Sequence, residues 1–206
     1  ARVNLSLYDN LQEIPDGSRD STSRRFTYQI DEADSARPVV PDPVLNSYSI
    51  ATLHQHVQYY RAYLVSNFNL GDGRLATNFG FSRSIRREFN RAWHADLAGL
   101  YLTLNTFSYD LKYHLATHNG WEPTVGSNGM YQANDASKGT ELVVPSYHQF
   151  DIGPFVHVKK TVGQFDISGG LRYDVRNYHG AAMYTRMDPG TGFDMSAGPI
   201  PGDTAT

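Results

Sequence analysis

His54 and His56 stand two residues apart, a spacing that turns both imidazoles to one face of a strand and within reach of one metal ion. The plainer reading is a hydrogen-bonded place in an outer wall. Counting back about eleven membrane-crossing residues from Leu70 leaves the pair above a bilayer. His94 and Asp96 share a loop and could touch a small ligand, with a solvated loop pair as the ordinary alternative. Arg83, Arg86 and Arg87 crowd near one strand's outer end. They suit an anionic ligand, anionic lipid headgroups or the rim charge that ends an apolar band. Asp166 and Asp174 could pass for paired carboxylates, but eight residues of extended chain separate them by roughly 26 Å, too far for a glycosidase pair. Cysteine is absent, which removes disulfides, thiolate metal sites and a Cys nucleophile. No nucleophile elbow, phosphate loop or zinc helix is present. The chain reads as non-enzymatic, with no cofactor and no resident metal expected.

The elements that would position these groups are strands. From Phe165 to Arg176, Phe165, Ile167, Leu171, Tyr173 and Val175 fall on one face; Asp166, Ser168, Arg172, Asp174 and Arg176 fall on the other. Successive strand side chains point to opposite sides, so one face is apolar and the other charged. The pattern predicts about seven strands, over Arg2 to Tyr8, Ser49 to Leu70, Arg74 to Arg87, Ala98 to Tyr113, Thr124 to Ala133, Tyr147 to Lys160 and Phe165 to Arg176. In the third, Leu75, Thr77, Phe79 and Phe81 share a face, and the Gly71-Asp72-Gly73 hairpin should align them with Phe68 and Leu70. In the fourth the phase reverses: Leu100, Leu102 and Leu104 are even, while Phe107, Tyr109, Leu111 and Tyr113 are odd. A bulge near Asn105-Thr106, or an upper half beyond the bilayer, would account for it. Pro154 lacks a ladder donor and sits awkwardly in the sixth strand. From Asn177 to Thr206 the chain reads as turn-rich without strand pattern.

The connections alternate short and long. A polar stretch of about forty residues follows the first strand, from Ile14-Pro15-Asp16-Gly17 through Pro41-Asp42-Pro43, too long for a compact soluble domain. Long loops at one rim, tight turns at the other and dyad alternation between them are the signature of a transmembrane β-barrel. Trp121, Tyr109, Tyr113 and Phe68 would form an aromatic girdle near the short-turn rim. The 206 residues carry 14 Tyr and 10 Phe, no apolar run approaches the length of a spanning helix, and the net charge of −3 gives no case for nucleic acid. The chain opens inside an alternating segment, with Val3, Leu5 and Leu7 against Asn4 and Ser6, as an internal piece of something longer would.

Several segments carry a resemblance. They are Thr52-Leu53-His54-Gln55-His56-Val57-Gln58-Tyr59-Tyr60-Arg61, Asn128-Gly129-Met130-Tyr131-Gln132, Pro145-Ser146-Tyr147-His148-Gln149-Phe150-Asp151-Ile152-Gly153-Pro154-Phe155 and Gly170-Leu171-Arg172-Tyr173-Asp174-Val175-Arg176. In order and spacing they resemble the barrel of TonB-dependent outer-membrane receptors, particularly the Bacteroidetes type. The resemblance implies that residues 1–206 are the middle part of a larger antiparallel barrel, with the plug domain and the barrel's C-terminal strand lying elsewhere. It implies a bacterial outer-membrane location and energy-coupled uptake of an iron chelate (siderophore), cobalamin or oligosaccharide. Outer-membrane lipid, the plug of the same parent chain, the small-molecule ligand and, through the plug, the inner-membrane protein TonB become the expected partners. Phe79, Phe81, Ile167, Leu171 and Tyr173 would then face lipid, and Asp166, Ser168, Arg172, Asp174 and Arg176 the lumen. Arg86, Arg87, His94 and Asp96 would be the candidate ligand contacts. A soluble carbohydrate-binding β-sandwich and a passive porin-like barrel are the alternatives. The sandwich would require a second sheet packed against the first.

Overall fold

The structure, a computed structural model, describes residues 1–14, 17–31, 33–141, 143–182, 184–187, 189 and 194–197. It is all-β apart from one short helix, α1 (Asp42–Leu45). The strands are β1 (Arg2–Glu13), β2 (His54–Leu70), β3 (Gly73–Phe89), β4 (Leu100–His114), β5 (Trp121–Asp135), β6 (Tyr147–Val162), β7 (Phe165–Arg172) and β8 (Val175–Gly180). A small hairpin of β9 (Tyr184–Met187) and β10 (Asp194–Ala197) follows. β1 through β7 pair in sequence order into one antiparallel, eight-stranded sheet, with β8 also on β6. The sheet is open: among the described residues β1 pairs only with β2, and β7 and β8 only with β6.

The tail departs from the expectation of turns alone. β8 continues to Gly180 in register with β6, and β9 and β10 pair beyond it; residues 198–206 lie outside the described residues. The first strand is also longer than its alternation suggested, reaching Glu13, and β2 begins at His54 instead of Ser49.

Pro154 explains why β7 and β8 are separate. The Tyr173 N–H donates to the Pro154 carbonyl at 3.1 Å, marking these residues as a hydrogen-bonded cross-strand pair. Such a pair exchanges two bonds, and proline has no N–H for the second. The ladder stops at Phe155–Arg172 and resumes at Ile152–Val175, astride this position. Pro154→Val is expected to restore the reciprocal bond, a gain of about 0.5–1.5 kcal/mol, and to fuse β7 with β8. Slower amide exchange at Val175 and Asn177 would register it, whereas unchanged exchange would mean the break has another cause.

Directly paired residues share a face, so the register sorts every side chain. One row runs Phe68, Leu75, Tyr113, Val125, Val156, Leu171, all apolar. Another runs Leu64, Phe79, Tyr109, Gly129, Ile152, Val175. Phe81, Ile167 and Tyr173 lie on this same face, and β1 adds Val3, Leu5 and Leu7. The opposite face carries Asn78, Ser82, Asp110, Asn128, Asp151, Asp166, Ser168 and Arg172.

β4 keeps one register on β3 from Arg74–His114 to Glu88–Leu100, so no bulge reverses its phase. Leu100, Leu102 and Leu104 lie half-buried on the polar face, toward the long-loop end. Tyr109 likewise departs from the girdle: it pairs with Phe79 and Gly129 up the strand, and its hydroxyl lies 3.4 Å from Ser127 Oγ. Trp121 does stand near the short turns, half exposed, with Lys160 Nζ 5.0 Å from its ring centroid.

The apolar face is bare. Among the described residues the buried hydrophobic ones are Ala98 and Ala136, and no large side chain is fully enclosed. Leu171 is 79% exposed, Leu5 75% and Phe165 74%. Covering one such side chain is worth about 1.5–3 kcal/mol, so the sheet lacks the usual drive to fold in water. Among the described residues no second sheet packs on it, since β9 and β10 contact only each other.

Candidate functional site

Three arrangements gather the polar groups. The first lies on the polar face where β5, β6, β7 and β8 meet. Arg172 Nε donates to both Asp174 oxygens at 2.9 and 2.8 Å, and its Nη2 to Asn128 Oδ1 at 2.7 Å. Arg176 grips Asp151 with two bonds of 2.9 Å, and Gln149 adds a third at 3.1 Å. Asp110 pairs with Lys112 at 2.8 Å through one oxygen, and its other oxygen is enclosed without a hydrogen-bond partner. Asp110, Asn128, Asp151, Arg172, Asp174 and Arg176, with Ser108 and Met130, border a hollow of about 700 Å³. Nearer the short turns, Asp166 meets Lys159 at 3.1 Å and Thr161 at 2.6 Å. Ser168 occupies the same face, opposite Lys159.

Neutrality characterises this cluster: Arg172 with Asp174, Arg176 with Asp151, Lys112 with Asp110 and Lys159 with Asp166. The bidentate Arg176–Asp151 and Arg172–Asp174 pairs fix side-chain geometry along a wall. Gly153 makes room for it. A Cβ there would come within 2.1 Å of Arg172 Nη2 and 2.3 Å of Asp174 Oδ1.

The second arrangement sits on the apolar face, beyond its greasy rows toward the long-loop rim. Arg87 Nη2 donates to Gln58 Oε1 at 2.6 Å and lies 3.0 Å from His56 Nδ1. Arginine only donates, so Nδ1 accepts and His56 Nε2 carries the proton it gives to Asp9 Oδ1 at 2.7 Å. Gln58 Nε2 completes the ring on Asp9 Oδ2 at 2.8 Å. Both nitrogens of His56 are therefore spoken for. His54 stacks on Phe89 at 4.3 Å and bonds the Thr52 carbonyl at 2.9 Å. The two histidines share a face without converging on a common point. The three arginines divide: Arg83 and Arg87 lie on this face, while Arg86 lies on the polar one, bonded to Gln55 and Glu88.

The third arrangement is the outer loops. Residues 90–99 and 136–146 are knit by Glu141 N–H to the Gly99 carbonyl at 2.8 Å, Thr140 N–H to the Ala98 carbonyl at 3.3 Å and Asn90 Nδ2 to both Glu141 oxygens at 2.8 and 2.9 Å. His94 and Asp96 are exposed on this knit pair and touch neither the polar-face cluster nor the His56 ring. In the longest loop, Asp20 takes the Ser23 hydroxyl and the Ser23 and Thr22 N–H groups, and Asp31 takes the Ser35 hydroxyl and N–H. These bonds, the serine hydroxyls foremost, hold both carboxyls below the ordinary Asp value. A carboxyl lowered in the folded state stabilises above its unfolded pKa, and the effect is lost as pH falls through the folded value. Acidification below the usual carboxylate range should thus loosen residues 18–35 first, read as a rise in protease cleavage there before the strands yield.

Sequence reading placed both Arg172 and Asp174 on the charged face, but for the cross-strand contacts it singled out one side. Arg172 and Arg176 were visible in the alternation; that Asn128 and Asp151 are their cross-strand partners was not, because only the register of β5, β6, β7 and β8 brings them together. Asp9 was missed for the same reason. Among the described residues no group of three or more His, Asp or Glu is disposed to hold a metal. No protein-family model, curated protein or solved structure matches the chain.

Proposed function

We propose that the chain is a wall section of a bacterial outer-membrane β-barrel, with its apolar face on lipid and its polar face on the lumen. The barrel is read as a receptor for energy-coupled uptake of a scarce ligand such as an iron chelate, cobalamin or oligosaccharide. The observation that carries the wall reading is the bare apolar face: continuous across seven strand positions, uncovered by any second layer among the described residues, and backed by an ion-paired polar face. A membrane supplies the cover that the protein lacks.

Two further features support it. The turns after β2, β4 and β6 are short and share one rim, while residues 14–53, 90–99 and 136–146 share the other. The rims also slope. Along the row through Leu75 and Leu171, the short-turn end lies two residues below on β3, at Gly73, and six below on β7, at Phe165. That stagger is what tilted barrel strands require. The receptor reading rests on the resemblance in the segments at 52–61, 128–132, 145–155 and 170–176 and on the long outer loops. It implies a plug in the lumen and TonB as the source of energy.

Uptake tests it. Deleting the parent gene should abolish accumulation of one labelled ligand of these classes, and dissipating the inner-membrane proton gradient should do the same in the intact strain. Accumulation indifferent to the gradient would support a passive pore instead. Recovery of the protein in the aqueous fraction would return the reading to a soluble sandwich.

A further inference from the structure

His148 on β6 and His179 on β8 stand directly opposite each other, their ring centroids 5.2 Å apart and their planes inclined by 28°. The ladder on either side fixes what kind of pair this is. Ala181 N–H bonds the Ser146 carbonyl at 2.8 Å, and Tyr173 N–H bonds the Pro154 carbonyl, so hydrogen-bonded pairs fall at 146–181 and 154–173. Alternation makes 148–179 a hydrogen-bonded pair as well, its two side chains directly opposed on one face with Cα atoms about 5.5 Å apart. Both rings are exposed on the apolar face, one step beyond Phe150 toward the long-loop rim. Among the described residues neither ring nitrogen has a hydrogen-bond partner, whereas those of His54, His56, His114 and His118 do.

We infer that His148 and His179 form a bidentate site for a borderline divalent cation, with Zn²⁺, Cu²⁺ and Ni²⁺ as the class. Imidazole nitrogens ligate Zn²⁺ at about 2.0–2.1 Å, which places the centroids of two rings on one tetrahedral ion about 5 Å apart. The existing separation already meets that requirement. The rings need only turn about χ2, a torsion with broad wells, for their nitrogens to converge. Two imidazoles leave positions for water or for a headgroup phosphate beside the apolar face. The ion would clasp the far end of the edge segment β8 to β6, six residues along β6 from the gap at Pro154.

The test is residue-resolved histidine modification by diethyl pyrocarbonate on the whole protein in detergent micelles, read by mass spectrometry with and without one equivalent of Zn²⁺. Zn²⁺ should protect His148 and His179 together and leave the exposed His94 reactive. In His148→Ala the protection of His179 should be lost, and the converse should hold for His179→Ala. Protection of neither ring, or of His179 equally in the His148→Ala variant, would overturn the site. If a variant fails to assemble, the Cu²⁺ form of the unmodified protein decides by electron paramagnetic resonance. Hyperfine structure from two imidazole nitrogens supports the pair, and from fewer contradicts it.

Discussion

Leu171→Arg, or Ile167→Arg, is expected to leave the protein unassembled in membranes, while Ser168→Arg assembles and resists extraction. Leu171 sits near the middle of the apolar rows, paired with Val156 and largely exposed; Ile167 lies opposite Lys160, nearer the short-turn rim. A guanidinium on the lipid face at midplane costs about 2–4 kcal/mol, with less toward either interface. That is a large part of the 5–15 kcal/mol by which folded domains typically exceed their unfolded states. Ser168 is one residue away and faces the polar side, opposite Lys159. The added charge there meets water and the neighbouring Asp166 instead of hydrocarbon. Assembly is scored by heat-modifiable migration and by retention in the membrane after an alkaline wash. Equal tolerance at Leu171 and Ser168 would remove the assigned facing.

The second large effect is Gly129→Ala. A Cβ at Gly129 would lie 2.0 Å from the Asp151 carbonyl oxygen and 2.9 Å from its carbon, both backbone atoms of the neighbouring strand. Backbone cannot swing aside as a side-chain tip does, so β5 and β6 must separate locally. Overpacking of this kind costs about 1–3 kcal/mol. It would also disturb Asp151, which anchors Arg176 on the polar face. Gly169→Ala is the matched control, because nothing lies within 4 Å of its Cβ. The two variants should differ clearly in urea midpoint. A Gly129→Ala midpoint equal to that of Gly169→Ala would mean that the β5–β6 contact is looser than its geometry states.

Face assignment was the most legible property of this sequence. Strict alternation from Phe165 to Arg176 has few alternatives once a strand is assumed, and the ladder sets Phe165, Leu171 and Val175 opposite Val162, Val156 and Ile152 of β6. Gly71 and Gly73 bracketed the β2–β3 hairpin, and the register through Phe68–Leu75 followed from it. Legibility failed where two patterns overlapped. The leucines at 100, 102 and 104 look like the start of an apolar face, but an unbroken register sets them on the polar side, near the loop pair 90–99 and 136–146. It failed again after Arg176, where β8 runs on to Gly180 in the same register but places Asn177 and His179, not apolar residues, in line with Val175.

The candidate sites were less legible than the fold, for a physical reason. A strand sequence gives the face of each side chain and nothing about which strand lies opposite. Arg172 needs Asn128, forty-four positions earlier, and His148 needs His179. A metal shared by His54 and His56 rested on spacing alone, and their neighbours Phe89, Asp9 and Arg87 occupy them instead.

The central claim is that one face of this sheet meets lipid and the other meets an aqueous lumen. Single cysteines placed in turn from Phe165 to Arg176 test it directly, since the chain has no cysteine of its own. Each variant, assembled in membranes within its parent protein, is probed with a lipid-soluble and a water-soluble thiol reagent. The account predicts alternation: odd positions labelled from lipid, even positions from water. Uniform labelling from water along the whole segment would contradict it and would require a soluble protein that covers this face by other means.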